Sequence, residues 1–318
     1  MILTVTMNPS VDISYPIENF QLDGVNRCKE VSKTAGGKGL NVSRVISLMQ
    51  ENVLATGIVG GFLGKFIQKE LDSSQISHYF YEITEESRNC IAILHNGMQT
   101  EVLESGPTIT KSQAEEFHAH FESLLSDIQI VTISGSLPKG VDHFYYNRLL
   151  DACAERNIQV LLDSSGDYLE EAMKNSNKPY LIKPNLEELR QLVKKENAEL
   201  NQSDLIEILE TTLLKDIPII VVSMGKHGAF VRWKEEYYQV QIPEIPVVNP
   251  VGSGDATIAG LAVGLKNHLS PFEILKTAMA TGMLNTMEEK TGYIDKTRFA
   301  EYFDKVVVKK INNKRAGL

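Results

Sequence analysis

From Lys111 onward the sequence alternates between two kinds of stretch. Helix-periodic segments over 111–126, 142–156, 167–174, 185–195 and 203–214 are interleaved with short apolar runs over 128–133, 158–162, 179–182 and 217–222. The apolar runs do not alternate with polar residues. Ile217-Pro218-Ile219-Ile220-Val221-Val222 is almost unbroken, as expected of a strand covered on both faces. Strands that reach one another through helices run parallel and carry helices on both sides of the sheet. The chain is therefore expected to be an α/β protein with a mostly parallel central sheet. Ile2-Leu3-Thr4-Val5-Thr6 and the run over 53–59 read as two more of its strands.

The polar content collects where these strands stop. Ser134-Gly135-Ser136-Leu137-Pro138-Lys139-Gly140, Asp163-Ser164-Ser165-Gly166, Lys183-Pro184-Asn185 and Ser223-Met224-Gly225-Lys226-His227-Gly228 each follow a strand. Open α/β sheets bind ligands outside the carboxyl ends of their strands. Four polar strand ends on one edge point to a single long crevice. Asp12 follows the first strand and is a candidate to hydrogen-bond a polyol, or else a turn residue.

Asn249-Pro250-Val251-Gly252-Ser253-Gly254-Asp255 leads into an apolar helix over 254–267, with a second over 271–285 ending at Asn285. A glycine turn at a helix start leaves the first N–H groups unpaired, and the helix dipole adds positive character there. That is an anion site. A carboxylate at the same place does not help to bind phosphate. Asp255 reads either as a base taking a hydroxyl proton or as a simple N-cap.

Ala35-Gly36-Gly37-Lys38-Gly39-Leu40-Asn41 opens another helix. Its glycines allow close backbone approach to a ligand. Lys38 is a cation at the unfavourable end of a helix, which a bound anion would offset. Asn41 is placed either to donate to a sugar hydroxyl or to cap. Residues 13–33 and 78–104 read as strands of a separate small sheet, with Asn96-Gly97 as a hairpin turn. Arg88 leads into one of those strands, either as a phosphate contact or as an edge-strand charge.

Composition narrows the function classes. A net charge of −9 over 318 residues argues against a nucleic-acid face, so cations for an anionic ligand must be local. Lys38, Arg88 and Lys139 are the candidates. Cys28, Cys90 and Cys153 have neither zinc nor disulfide spacing. No apolar run approaches the roughly 18 residues of a membrane span. The opening run has no basic lead and breaks at Asn8-Pro9, so cytoplasmic residence is expected. The length suits one large domain with an appendage. The basic tail (Lys305, Lys309, Lys310, Lys314, Arg315) is expected to be solvated.

Three motifs together resemble the ribokinase-like carbohydrate kinases of the PfkB family. Gly36-Gly37-Lys38-Gly39-Leu40-Asn41 is similar to the family's first glycine motif, and Asn249 to Asp255 to its second. Lys183-Pro184-Asn185-Leu186-Glu187-Glu188 contains its Asn-x-x-Glu element. The resemblance covers essentially the whole chain in family order. It implies a three-layer fold forming a single domain, with the small sheet as a lid and a common dimer interface. It implies ATP and Mg2+ as cofactors and a small-molecule sugar or sugar phosphate as substrate. Asp255 would be the base, and the backbone of Gly252, Ser253, Gly254 and Asp255 the anion hole. Asp12, Gly37 and Asn41 would contact sugar hydroxyls. Asn185 and Glu188 would hold Mg2+, largely through water. Lys183, Ser223, Gly225, Gly228 and Asn285 would line the nucleotide site.

Within the family, Ser87-Arg88-Asn89 resembles members whose sugar is already phosphorylated. The combined motifs are most similar to the tagatose-6-phosphate kinase branch. The 1-phosphofructokinase branch follows closely, although it more often has Ala where Ser253 stands. A non-catalytic sensor on the same fold is the alternative from another class, and it would need neither Asp255 nor Glu188. A nicotinamide enzyme is excluded by the lack of Gly-x-Gly-x-x-Gly after the first strand.

Overall fold

The computed structural model describes residues 1–195, 200–211 and 213–311. Its strands are β1 (Ile2–Thr6), β2 (Ser10–Pro16), β3 (Ser32–Gly36), β4 (Val53–Gly60), β5 (Ser77–His78), β6 (Tyr81–Ile83), β7 (Arg88–His95), β8 (Met98–Leu103), β9 (Ile130–Ser134), β10 (Gln159–Asp163), β11 (Leu181–Ile182), β12 (Ile219–Ser223), β13 (Ala229–Trp233), β14 (Glu236–Gln241) and β15 (Val307–Ile311). Its α-helices are α1 (Lys38–Leu48), α2 (Gly61–Ser73), α3 (Lys111–Ser123), α4 (Tyr145–Ala154), α5 (Gly166–Lys174), α6 (Leu186–Leu192), α7 (Gln202–Leu209), α8 (Ser253–Lys266), α9 (Pro271–Thr286) and α10 (Phe299–Lys305).

The large sheet runs β15-β14-β13-β12-β11-β10-β9-β1-β4-β5, with β6 also beside β4. From β12 across to β5 the pairings are parallel, and β13 to β15 add an antiparallel edge. Consecutive residues of the central strands enter opposite cores. Ile2, Ile130, Leu161, Leu181 and Ile219 pack with Val45 of α1, Ile258 of α8 and Leu275 of α9. Their neighbours Leu3, Val131, Leu162, Ile182 and Ile220 pack with Phe117 of α3, Leu149 of α4 and Leu189 of α6. Two cores, one on each face, favour apolar residues at consecutive positions. That is the physical source of the unbroken apolar runs.

The second sheet has the order β3-β2-β7-β8. Asn96 and Gly97 both have positive φ (48° and 73°) and turn β7 back into β8, as the Asn-Gly pair predicts. Three boundaries differ from expectation. Residues 78–83 do not belong to this sheet: β5 and β6 pair with β4 and extend the large one. β2 begins at Ser10, so Asp12 lies inside a strand of the small sheet. Residues 17–31 link β2 and β3 without being strand. Lys305, Lys309 and Lys310 of the basic tail are exposed, as expected, although Lys309 and Lys310 also belong to β15, paired to β14. Lys314 and Arg315 lie outside the described residues, as does residue 212 within the expected helix over 203–214. Among the described residues no helix is long and apolar enough to cross a membrane.

Candidate active site

The carboxyl ends of β9, β10, β11 and β12 lie on one edge of the large sheet, and the small sheet stands beside that edge. Gly37, Lys38, Arg88 and Ser136 line a shared cavity of about 260 Å3, with Leu103 of the small sheet and Ser164 as further walls. A larger hollow of about 420 Å3 opens at the amino ends of β10 to β12, away from every candidate residue.

Asp255 occupies the first turn of α8 and is only 5% exposed. Gly252 precedes the helix in the left-handed conformation (φ 83°), and no side chain caps it. A Cβ on Gly252 would lie 2.4 Å from Thr291 Cγ2, so the turn excludes any side chain. The first bond closed by the helix is Ala256 N–H to Gly252 O at 2.9 Å. The N–H groups before it therefore have no intrahelical partner. Asn249 braces the turn from outside, accepting from Val251 N–H at 3.0 Å and donating to Glu289 O at 3.0 Å.

Burial pushes the Asp255 carboxyl up to about 7, and the nearby Asp163 charge adds to the rise. A hydrogen bond from Asn41 Nδ2, at 2.8 Å, works in the opposite direction, as do the charges of Lys38 and Lys183. The result is a carboxylate that can take up a proton near neutral pH, as a general base requires.

Asp163 closes β10 as a buried acid between two lysines. Its Oδ1 lies 3.3 Å from Lys183 Nζ and its Oδ2 3.8 Å from Lys38 Nζ. Asp163 is thus the anion that offsets Lys38 at the start of α1, and its charge holds the Lys38 ammonium above its usual range. Lys183 is buried, and a Cβ on Gly254 would sit 3.2 Å from its Nζ. One ammonium therefore stands directly against the open turn.

The other candidates fall into distinct places. Asp12 faces Gly36 so closely that a Cβ there would meet its carboxyl at 2.0 Å, and Ser10 Oγ donates to it at 2.7 Å. Burial raises its pKa. Arg88 donates to Asn8 O at 3.1 Å and Glu104 O at 3.0 Å, which anchors it against the cavity. Lys139 is exposed, and its backbone pairs with Thr108 rather than facing that cavity. Asn185 and Glu188 form a reciprocal capping box at the start of α6. Ser223 bridges to Asn185 at the end of β12. Gly225 has open space around it, whereas a Cβ on Gly228 would strike Val240 O at 2.0 Å, so that glycine serves the β12–β13 turn. Asn285 is fully buried, donates to Tyr293 O at 3.0 Å and turns its Oδ1 toward Gly252.

Two residues of the site were not singled out from the sequence. Asp163 has a visible signal, being the acid that directly follows the apolar run Val160-Leu161-Leu162. Arg44 lies three residues after Asn41 and is the one charged residue among the buried positions of α1. It is buried and donates to Asn41 Oδ1 at 3.1 Å.

Known proteins resemble this chain over nearly its whole length. Residues 5–298 match the model of the pfkB family carbohydrate kinases. A Staphylococcus aureus protein provisionally called a phosphofructokinase is 32% identical, with 99% of this chain and 100% of that chain covered and a TM-score of 0.85. Phosphofructokinase-2 from Escherichia coli, crystallised with potassium, is 25% identical over 95% of this chain and 98% of its own, with a TM-score of 0.87. A Thermotoga maritima protein provisionally called 1-phosphofructokinase is 27% identical over 98% of this chain and 100% of its own, with a TM-score of 0.86. With its ribokinase-like architecture and a family match running through both glycine turns, the chain belongs to the pfkB family of carbohydrate kinases.

Proposed function

We propose that the protein is an ATP- and Mg2+-dependent kinase that phosphorylates the free primary hydroxyl of a ketohexose phosphate. The observation that carries this reading is Asp255: a buried carboxyl poised near neutrality at an uncapped helix start, with the Lys183 ammonium beside the turn. Asp255 takes the hydroxyl proton, and the N–H groups of the Gly252–Asp255 turn hold the charge that develops on the transferred phosphoryl group. Lys38 and Arg88, on the shared cavity, receive the phosphate already on the sugar. Asp12 and Asn41 orient its hydroxyls. The small sheet acts as a lid that keeps water from competing as acceptor.

Asn185 and Glu188 suit Mg2+. No three His, Cys, Asp or Glu side chains gather into a metal cage among the described residues. Magnesium needs no such cage, since it keeps most of its waters and takes one or two carboxylates besides phosphate oxygens. The capping box uses Glu188 Oε2, accepting from Asn185 N–H at 2.9 Å, which leaves Oε1 for a metal-bound water. When bound there, the ion neutralises charge on the phosphates.

Tagatose 6-phosphate is the proposed substrate, giving the 1,6-bisphosphate, on the strength of the motif combination and Ser253. Fructose 1-phosphate is the second reading, favoured by the Thermotoga maritima likeness. The exposed apolar residues of the small sheet, among them Met98, Val102 and Leu103, support a homodimer through that sheet. The test is ADP release with MgATP and five sugars: tagatose 6-phosphate, fructose 6-phosphate, fructose 1-phosphate, fructose and ribose. The expected result is the highest kcat/KM for tagatose 6-phosphate. A preference for fructose 1-phosphate selects the second reading, and turnover of the unphosphorylated sugars alone removes the role given to Lys38 and Arg88. No turnover with any of them points to a sensor.

A further inference from the structure

The hydrogen bond that tempers Asp255 has a donor that must itself be held. An asparagine amide presents oxygen or nitrogen depending on which way it is turned. Asn41 presents nitrogen to Asp255 Oδ2 at 2.8 Å. Its oxygen faces Arg44 Nη1 at 3.1 Å. A guanidinium can only donate, so Arg44 permits one orientation of that amide, the one that gives Asp255 a donor.

The same guanidinium reaches two further segments. Nη1 donates to Thr291 O at 3.1 Å and Nη2 to Ala35 O at 2.6 Å. Its Cζ lies over the Tyr293 ring, 5.0 Å from the ring centroid. Arg44 is 5% exposed, and these hydrogen bonds go to neutral oxygens. Each contacted segment borders the site. Ala35 precedes Gly36, which packs on Asp12, at the root of the small sheet. Thr291 abuts Gly252, and Tyr293 O receives the Asn285 side chain at 3.0 Å.

We infer that Arg44 is a positioning residue whose guanidinium locks the Asn41 amide onto Asp255 and ties that lock to the root of the small sheet and to the segment beside the anion turn. The inference rests on Asp255 being the base. Lysine cannot do this work, because a single ammonium lacks the planar fork that spans three acceptors. The charged groups facing Asp255 are Asp163 from β10, Lys38 and Arg44 from α1, and Lys183 after β11. Releasing the Asn41 amide removes a hydrogen bond that lowers the Asp255 pKa. The acid limb of the pH profile should therefore move to higher pH.

The test compares Arg44→Lys, Asn41→Ala and the double variant, with Asp255→Asn alongside. Arg44→Lys is expected to lose roughly 10- to 100-fold in kcat, the scale of a misplaced reacting group, while KM for ATP changes little. Its acid limb should move up in pH, as should that of Asn41→Ala. The double variant should lose less than the two single losses combined, because both changes break the same Arg44–Asn41–Asp255 link. Additive losses, or an unmoved acid limb, would overturn the inference. If Arg44→Lys fails to fold, the Asn41 side-chain amide NMR signal of the wild type decides. It must titrate with Asp255 and lose that titration in Asp255→Asn; a signal indifferent to pH overturns the inference. Turnover by Asp255→Asn would sink the base itself. An inactive Asp255→Asn with additive Arg44 and Asn41 losses would sink only the role of Arg44.

Discussion

Helices α6 and α8 both begin at the crevice, and they begin in opposite ways. At α6 the polar groups satisfy one another: Asn185 Oδ1 accepts from Glu188 N–H at 2.8 Å, and Glu188 Oε2 accepts from Asn185 N–H at 2.9 Å. At α8 a left-handed glycine takes the cap position and no side chain reaches back. The first start is complete as folded. The second leaves the Gly254 and Asp255 N–H groups for a ligand, the Ser253 N–H being turned to Pro250 O. Helix α1 stands between them: Gly37 leaves it uncapped, and Lys38 in its first turn relies on Asp163 across the cleft. A polar motif at a helix start therefore reports function most directly where it fails to cap.

The largest expected effects fall on α8. Asp255→Asn should lower kcat by at least roughly 100-fold, the contribution of a placed general base, with ATP binding retained in calorimetry. It should also be more stable than wild type above pH 7. A carboxyl whose folded pKa is raised from 3.8 to about 7 favours folding below pH 3.8, and that contribution is lost as pH rises through about 7. Asparagine removes the buried charge. A melting temperature at pH 8 below that of wild type would mean that the lysines stabilise the ionised form more than burial opposes it. Gly252→Ala comes next. Its Cβ collides with Thr291 Cγ2 and its φ of 83° is strained, so the donors should be displaced and kcat should fall by roughly 100- to 1,000-fold, as when an oxyanion donor is lost. Wild-type kcat in that variant would remove the anion hole from the mechanism.

An intermediate effect is expected where the two helix starts meet. Asp163→Asn leaves Lys183 buried without its counter-ion, and it should destabilise the fold by about 3–5 kcal/mol, as when one partner of a buried ion pair is removed. Asp163 also raises the Asp255 carboxyl, so the acid limb of kcat/KM should move to lower pH. Denaturant melts and a pH–rate profile check the two outcomes separately. A stability loss with an unmoved limb would make Asp163 a structural clamp only.

Most of the architecture was legible because double burial writes itself into consecutive residues. Ile219 and Ile220 could be assigned to a parallel strand without knowing which core each enters. The short edge strands were not legible. Tyr81 and Ile83 are half-buried beside β4, and nothing in a three-residue strand distinguishes one sheet from another. In the site, glycine turns and Asp255 could be read because their backbone demands are local. Asp163 acts on Lys38, and Arg44, beyond its near neighbour Asn41, holds Thr291, both partners being far along the chain. No window of sequence contains such a pair. Asn185 and Glu188 present the converse difficulty, since one spacing serves both a capping box and a metal site.

That ambiguity yields the smallest effect and the sharpest discrimination. Glutamine at the third helical position completes a capping box as well as glutamate does. Glu188→Gln therefore keeps the box and removes only the charge, whereas Asn185→Ala removes the cap and should cost about 1 kcal/mol of stability. If α6 only begins a helix, Glu188→Gln should match wild type in both melting temperature and magnesium dependence. If its carboxylate also faces a metal-bound water, the melting temperature should hold, and the magnesium concentration for half-maximal rate should rise by about tenfold, as when a partner outside the metal's direct ligands is lost. The second outcome is expected, because Glu188 contributes to the field that raises Lys38, which places its charge within reach of the crevice. An unchanged magnesium requirement would separate the two helix starts completely, leaving α6 to the fold and α8 to the chemistry.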